Sequence, residues 1–394
     1  MADTILTLNA GSSSLKFALF KTGTDRFDLA VRGEIEEIAA DPHFVARDAN
    51  GVVLVDQRWP DAAGNFRMLF GNMIDWIDAH VGEERLIAVG HRVVHGGPNH
   101  ARPERVTPEL LAALDLLTPL APLHEPQNVA PIRAIATARQ KLPQVVCFDT
   151  AFHNTMPLVA SRFALPREYE TMGVRRYGFH GLSYEYIAGR LHEIAPKLAR
   201  GRVIVAHLGN GASLCALSGG KSIDTTMAFS TLDGLMMGTR PGNLDPGVIL
   251  YLLQERGMTA KQVEDLLYKH SGLLGVSGGI SSDMRALLGS TDQRAAEAVE
   301  LFAYRIAREA GAMASSLGGV DGIVFTAGIG EHAPQVRAAI CLRLAWLGAV
   351  LDHTANERGD AVISAPESRI EIRVVATDEE KMIAQLTLAA LRST

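Results

Sequence analysis

Cysteine is scarce: the 394 residues contain three, Cys147, Cys215 and Cys341, and no CxxC pair. They sit in apolar runs such as QVVCFD and ASLCAL, the pattern of buried, reduced thiols in a cytosolic protein. No basic segment or apolar h-region precedes the first strand candidate at Thr4, so no secretory leader is expected and the cytoplasm is the expected location. Long apolar runs are missing too. The longest weakly charged stretch, AGAMASSLGGVDGIVFTAGIG (310–330), carries glycines and Asp321, which suit a helix, a turn and a strand better than a membrane span. Positive charge is not in excess: 38 Lys and Arg face 44 Asp and Glu, a net charge of −6. That argues against nucleic acid or an anionic membrane as partner. The Walker pattern GxxxxGK[ST] is absent, which excludes a P-loop. So is HExxH, and His91 and His95, four apart in a β-type segment, do not make a zinc pair.

What is present suffices for large cores. Apolar residues make up 47 % and charged residues 21 %, and the length suggests two or three domains. Short β-rich runs at 4–8, 15–20, 29–33, 52–56, 86–90, 144–148, 202–207, 213–217, 322–326 and 371–376 alternate with helical segments. The helical segments are 66–80, 107–118, 128–141, 183–195, 244–256, 259–270, 293–317, 334–347 and 379–392. Thr107-Pro108 and Thr259 read as helix starts and Gly272 as a helix stop. Such alternation predicts an α/β fold. One stretch, DTILTLNAGSSSLKFALF, is echoed two hundred residues later by GRVIVAHLGNGASLCALSGGKSID: strand, Gly/Asn/Ser bend, strand. The echo predicts two homologous halves, 1–150 joined by the last helix 381–394, and 151–380.

Both bends invite the same question. Gly11 with Ser12 exposes backbone N–H groups beside hydroxyls, with Lys16 close behind, and such a nest holds phosphate oxygens; an ordinary hairpin turn reads the same way. The second bend, HLGNGAS (207–213), adds His207, two glycines and an Asn, and a pair of such bends could clasp a polyphosphate from opposite sides. IVFTAGIGEHAP (323–334) reads as a strand, a GxG turn and a helix start, a layout for a nucleotide at a helix N-terminus. Arg92 in GHRVVHGG and Arg240 in LMMGTRPGNLDPG lie among glycines, where a guanidinium can grip a carboxylate or phosphate or simply decorate a surface loop. Asp149 ends an apolar strand in FDTAFH, a usual place for an active-site acid, and His180 lies between aromatics and glycines in YGFHG, where a structural histidine is equally plausible.

Together NAGSSSLKF, HRVVHGG, FDTAFH, YGFHGLS, HLGNGAS, DGLMMGTRPG, GGISSDMR, FTAGIGEH and TDEE resemble the acetate kinase family over the whole chain. The resemblance implies two duplicated actin-like (ribonuclease H-like) α/β domains with a nucleotide cleft between them, typically in a homodimer. It implies ATP plus acetate giving ADP plus acetyl phosphate, reversibly, with Mg²⁺ or Mn²⁺ in its place. Carried over by position, Asn9 and Glu379 would serve the metal. Ser12, Lys16, His207, Leu208, Gly209, Asn210, Gly211, Asp283, Met284, Arg285, Gly328, Ile329, Gly330, Glu331 and His332 would serve ATP. Arg92, Val94, Leu123, Phe179 and Thr231 would serve the acyl substrate, and Asp149, His180 and Arg240 catalysis. Departures from the family pattern fall at Tyr184, usually His; at His332, usually Asn; at Pro241 and Asn243, in the usual TRSGD; and at Thr231, often Pro. The last leaves acetate against propionate open, since one methylene is worth only about 1–3 kcal/mol of discrimination.

The chemistry explains the residue types. A carboxylate is already ionised at neutral pH and needs no base to become a nucleophile; it needs positive charge and alignment to approach a polyanionic phosphate. On that logic Asp149 is expected to position an arginine or a metal-bound water rather than to take a proton. Two rivals fare worse. A nucleotide-switched binding module has no use for Arg92, Arg240 and His180. A sugar kinase needs a polar pocket rather than Val94, Leu123 and Phe179.

Overall fold

The computed structural model describes residues 3–11, 14–23, 27–81, 85–120 and 125–393. Ser12 and Leu123 lie outside them. The chain forms two compact units, Met1–Ala151 with Asp378–Thr394, and Phe152–Thr377.

In the first unit the strands are β1 (Asp3–Ala10), β2 (Leu15–Thr22), β3 (Phe27–Glu36), β4 (His43–Asp48), β5 (Val53–Arg58), β6 (Arg85–Val93), β7 (Glu104–Arg105) and β8 (Gln144–Phe148). Their order in the sheet is β5-β4-β3-β2-β1-β6-β8-β7. β1 pairs antiparallel with β2 and parallel with β6, which pairs parallel with β8. Alternation along the hairpin decides which face each side chain takes. Leu6, Leu8, Phe17 and Leu19 join Phe44, Leu69, Met73, Ile77 and Ile135 under the helices Phe66–Val81 and Glu125–Ala138. Ile5, Ala18 and Phe20 point the other way and meet Ala88 and Ala384 of the helix Glu379–Arg392. The closing helix of the chain thus covers one face of the first sheet. Gly90 is required there: a Cβ would lie 2.2 Å from Thr387 Oγ1 and 2.7 Å from Ile383 Cγ2.

In the second unit β9 (Arg202–Leu208), β10 (Ala212–Ser218), β11 (Lys221–Thr225), β12 (Gly322–Thr326) and β13 (Glu371–Val374) run in the order β11-β10-β9-β12-β13. β9 and β10 form the second hairpin, and β9-β12-β13 are parallel. This pattern, two antiparallel pairings followed by two parallel ones, repeats that of β3-β2-β1-β6-β8. The internal echo read from sequence is therefore an echo of topology. Helix Gly181–Ile194 packs Tyr184, Ile187 and Leu191 onto Val203, Val205, Cys215 and Val324. The 25-residue helix Gln293–Leu317 lies against β9, β10 and β11 and buries Phe302, Ile306 and Met313.

The start signals act as expected. Thr107 caps its helix through Leu110 N–H, and Thr259 forms a capping box with Gln262; each cap is worth about 1 kcal/mol. Gly272, at φ +62°, does follow a helix, but it also opens the short helix Gly272–Val276. The 310–330 stretch is a helix, a Gly318-Gly319 turn, a strand and the start of the helix Ala327–His332, and no helix among the described residues is long and apolar enough to cross a membrane.

Candidate active site

Parallel strands bring polar side chains to their carboxyl ends, where an open α/β sheet presents ligands. In the first unit β1 ends on Asn9-Ala10, β6 carries Arg92 near its end, and Asp149 directly follows β8. Register places the three side by side. Arg92 Nη2 and Nε donate to Asp149 Oδ2 at 2.6 and 3.0 Å, and Nη1 donates to Asn9 Oδ1 at 3.1 Å. Asn9 Nδ2 in turn faces Glu379 Oε2 at 3.5 Å. Burial works against the Arg92 charge, but Asp149 and Glu379 outweigh it and hold the guanidinium firmly protonated. Three of its five N–H groups are committed to these bonds, which leaves donors for an incoming carboxylate. Burial pushes the Glu379 carboxyl up to about 7 against the pull of Arg92. Asp149 is 1 % exposed, and its Oδ1 has no hydrogen-bond partner among the described residues. Lys16, on β2, is exposed and pairs in register with Asn9.

A residue the sequence reading missed holds this group in place. Buried Asn128 accepts from Val94 N–H at 2.9 Å and donates to Ala10 O at 2.7 Å, joining the end of β1 to the segment after Arg92. A lone Asn in a helical pattern gives no signal of such a bridge. Val94 itself is 3 % exposed.

In the second unit the bend after β9 closes on itself, with Gly209 N–H donating to Gly211 O at 3.0 Å and Gly238 N–H to Asn210 O at 3.0 Å. Gly211 is a contact point. A Cβ on it would come within 2.8 Å of Arg240 Nη2 and 3.3 Å of His180 Nε2, so these two side chains converge over the bend. Arg240 Nη1 donates to Thr231 O at 2.7 Å, and among the described residues Arg240 makes no ion pair. Burial pushes it down to about 10 against the pull of Tyr268, so it stays cationic at neutral pH. His180 sits at the mouth of helix Gly181–Ile194 with φ +58°, Nδ1 2.8 Å from Ser213 Oγ, and its ring stacks on His207 at 4.2 Å between centroids. His207 Nδ1 lies 2.8 Å from Ser183 Oγ. Phe179, 1 % exposed, is fixed through its carbonyl, 3.0 Å from His153 Nε2. Burial pushes His153 down to about 4, so this ring is neutral and donates to that carbonyl.

Beside the bend is a cavity of about 480 Å³ lined by Gly209, Asn210, Asp283, Met284, Arg285, Gly328, Ile329 and His332, and also by Ser282, Leu288 and Ala333, which the sequence reading had not named. Gly330 and Glu331 are not in the lining. Glu331 is turned inward: its Oε1 accepts from Ala327 N–H at 2.8 Å and Thr377 N–H at 3.2 Å. The expected GxG turn is not a turn. β12 runs straight into the helix Ala327–His332, and the break in direction is made by Ala327 at φ +64°. Asp283 caps the helix Met284–Leu288 and pairs with exposed Arg285 at 2.6 Å.

A profile of the Acetokinase family matches residues 4–385. The chain belongs to the acetokinase family. It is 54 % identical over 390 residues to the acetate kinase of Rhodopseudomonas palustris, with 98 % of each chain covered. It is 49 % identical over 391 residues to that of Nitrobacter hamburgensis, covering 99 % of this chain and 96 % of the other. Among solved structures, a propionate kinase from Francisella tularensis matches with a TM-score of 0.91 at 36 % identity, covering 98 % of this chain and 99 % of that one. The acetate kinase of Porphyromonas gingivalis matches with a TM-score of 0.87 at 37 % identity, covering 99 % and 100 %. The fold expected of this family, α/β in two like units, is the fold observed.

Proposed function

We propose that this acetokinase-family chain moves the γ-phosphoryl group of ATP to acetate, giving acetyl phosphate and ADP, and runs in both directions. A carboxylate oxygen of acetate forms a bond to the γ-phosphorus as the bond from that phosphorus to the β,γ-bridging oxygen breaks; no proton is transferred. The observation that carries the reading is the convergence of Arg240, a cation with no ion pair among the described residues, and His180 over Gly211, beside the cavity.

The residues divide the work by chemistry. The cavity takes the nucleotide, and the amides of Gly209–Gly211 meet its phosphates. Arg240 and His180 neutralise charge on the equatorial oxygens of the migrating group, which is where most catalytic energy in phosphoryl transfer is found. Arg92, oriented by Asp149 and Asn9, offers its remaining N–H groups to the acetate carboxylate. Asp149 thereby acts as a positioning group, its Oδ2 taken up by the arginine. Val94, Phe179 and Thr231 are assigned to the acyl group.

A divalent cation fits the first unit. Glu379 and the partnerless Oδ1 of buried Asp149 are hard oxygen donors. Mg²⁺ takes few protein ligands and keeps several waters, so a site of one or two such oxygens suits it. Asn9 and Glu379 would hold Mg²⁺, or Mn²⁺, which would there offset phosphate charge. The three cysteines, all buried and none in a disulfide among the described residues, suit a reducing cytoplasm.

Trapping with hydroxylamine tests the activity. Purified chain with ATP and Mg²⁺ is expected to yield acetohydroxamate, and no hydroxamate from any short-chain acid would refute the reading. The propionate kinase likeness and Thr231 favour one second reading, a preference for propionate; the ratio of kcat/KM for propionate and acetate in the same assay decides it.

We also assign a homodimer, supported by the helix Pro246–Gln254. It is rich in apolar residues but has none buried, and Leu250 and Tyr251 are 53 % and 52 % exposed. An apolar helix left uncovered in one chain suits a second copy. Sedimentation velocity is expected to give twice 42.4 kDa, and Leu250→Glu to give the monomer. A wild-type monomer at micromolar concentration contradicts the assignment.

A further inference from the structure

Helix Gly181–Ile194 and strand β10 carry two hydroxyls that form a polar chain ending on His180. Tyr184 Oη lies 2.5 Å from Ser213 Oγ, which lies 2.8 Å from His180 Nδ1. Tyr184 and Ser213 are both fully buried, and among the described residues neither hydroxyl has another hydrogen-bond partner.

Counting protons leaves one arrangement that satisfies both buried hydroxyls. A hydroxyl has one proton to give. If His180 Nδ1 carried a proton and gave it to Ser213, the serine could pass its own only to Tyr184, and the phenol proton would be stranded. If both Nδ1–H and the phenol donated to Ser213, the serine proton would be stranded. A buried donor without an acceptor costs about 1–3 kcal/mol, enough to fix the choice. With Tyr184 donating to Ser213 and Ser213 donating to Nδ1, both buried hydroxyl protons are placed, and the remaining Nε2–H belongs to a part-exposed ring and is not among the buried polar atoms that lack a partner.

We propose that Tyr184 and Ser213 set the tautomer of His180, so that the neutral ring carries its proton on Nε2, the nitrogen facing Gly211 and Arg240. This rests on the assignment of His180 to the migrating phosphoryl group. His180 then reaches that group as a hydrogen-bond donor whether charged or neutral, and does not depend on imidazolium alone. Tyr184 suits the task because its phenol proton has Ser213 as its one acceptor among the described residues, whereas an imidazole in its place could face either way. Tyr184 and Ser213 are positioning residues: they act through His180 and need not touch substrate.

Long-range proton–nitrogen correlation on chain labelled with ¹⁵N-histidine, with the ring neutral and the signal assigned by its loss in His180→Gln, reads the tautomer directly. Wild type is expected to show Nε2 protonated and Nδ1 bare. Tyr184→Phe keeps the ring and its packing and frees Ser213. It is expected to bring in the Nδ1-protonated form and lower kcat about tenfold, with KM for ATP and acetate within about twofold. A wild-type ring protonated on Nδ1, an unchanged tautomer in Tyr184→Phe, or a shifted tautomer with unchanged kcat overturns the proposal. Should Tyr184→Phe fail to fold, Ser213→Ala is read by the same criteria. Acyl phosphate formation by wild type decides the activity separately: its absence leaves the tautomer measurement standing, and its presence beside an Nδ1-protonated ring rejects the relay alone.

Discussion

Arg240→Ala lowers kcat by about 10²–10³, or about 2.7–4 kcal/mol of transition-state stabilisation, and leaves nucleotide affinity nearly unchanged. Arg240 makes no ion pair among the described residues, so removing it strands no carboxylate. Folding loses one hydrogen bond to Thr231 O, worth about 1 kcal/mol, and the protein survives to be assayed. The cavity is lined by residues 209–210, 282–285, 288, 328–329 and 332–333, and Arg240 is not among them. Turnover in the hydroxamate assay and ADP titration calorimetry separate the two effects. A loss of less than about tenfold, or a parallel loss of ADP binding, contradicts the role given to Arg240.

Arg92→Leu has a different signature because Arg92 is half of a buried pair. Its removal leaves the Asp149 carboxylate, 1 % exposed, without its cation, and breaking such a pair from one side costs about 3–5 kcal/mol of stability. It also removes the donors assigned to acetate, so KM for acetate rises and kcat falls. Stability and binding come apart in the double variant Arg92→Leu with Asp149→Asn. Neutralising the stranded acid restores most of the stability by denaturant unfolding but none of the acetate affinity. If the double variant is as unstable as the single one, the pair is not the cause; if acetate KM recovers with stability, Arg92 does not hold the substrate.

How far the sequence disclosed this site depended on distance along the chain. Both hairpins were legible because strand, Gly/Ser bend and strand fall within about twenty residues. Strand β4 and edge strand β11 escaped, since HFVARD and KSIDT carry too many polar residues to read as strands, and β7 has only two residues. Helices of four to six residues, such as Met284–Leu288 and His353–Arg358, are too short to display a period. The site residues were legible as motifs, but not their pairings. Arg92 meets Asp149 only because β6 and β8 are parallel neighbours, which no local pattern dictates. The expected turn at Gly328 failed for a backbone reason: the left-handed residue is Ala327, held by Glu331 at its N–H, where a glycine would have been the natural guess. Arg337 was overlooked because arginine reads as surface. It is 1 % exposed and binds the carbonyls of Gly330 and Glu331, bracing the helix at the cavity wall.

The helix that covers Ile5 and Phe20 is translated only after all of Phe152–Thr377. At about 5–20 residues per second, roughly 10–50 s pass between synthesis of the first sheet and of the segment that covers its second face and supplies Glu379. For that interval the nascent chain holds an apolar sheet surface without the helix that covers it, and the later unit receives its last strand, β13, just before that helix is made. The unit that begins first on the ribosome is therefore the one completed last.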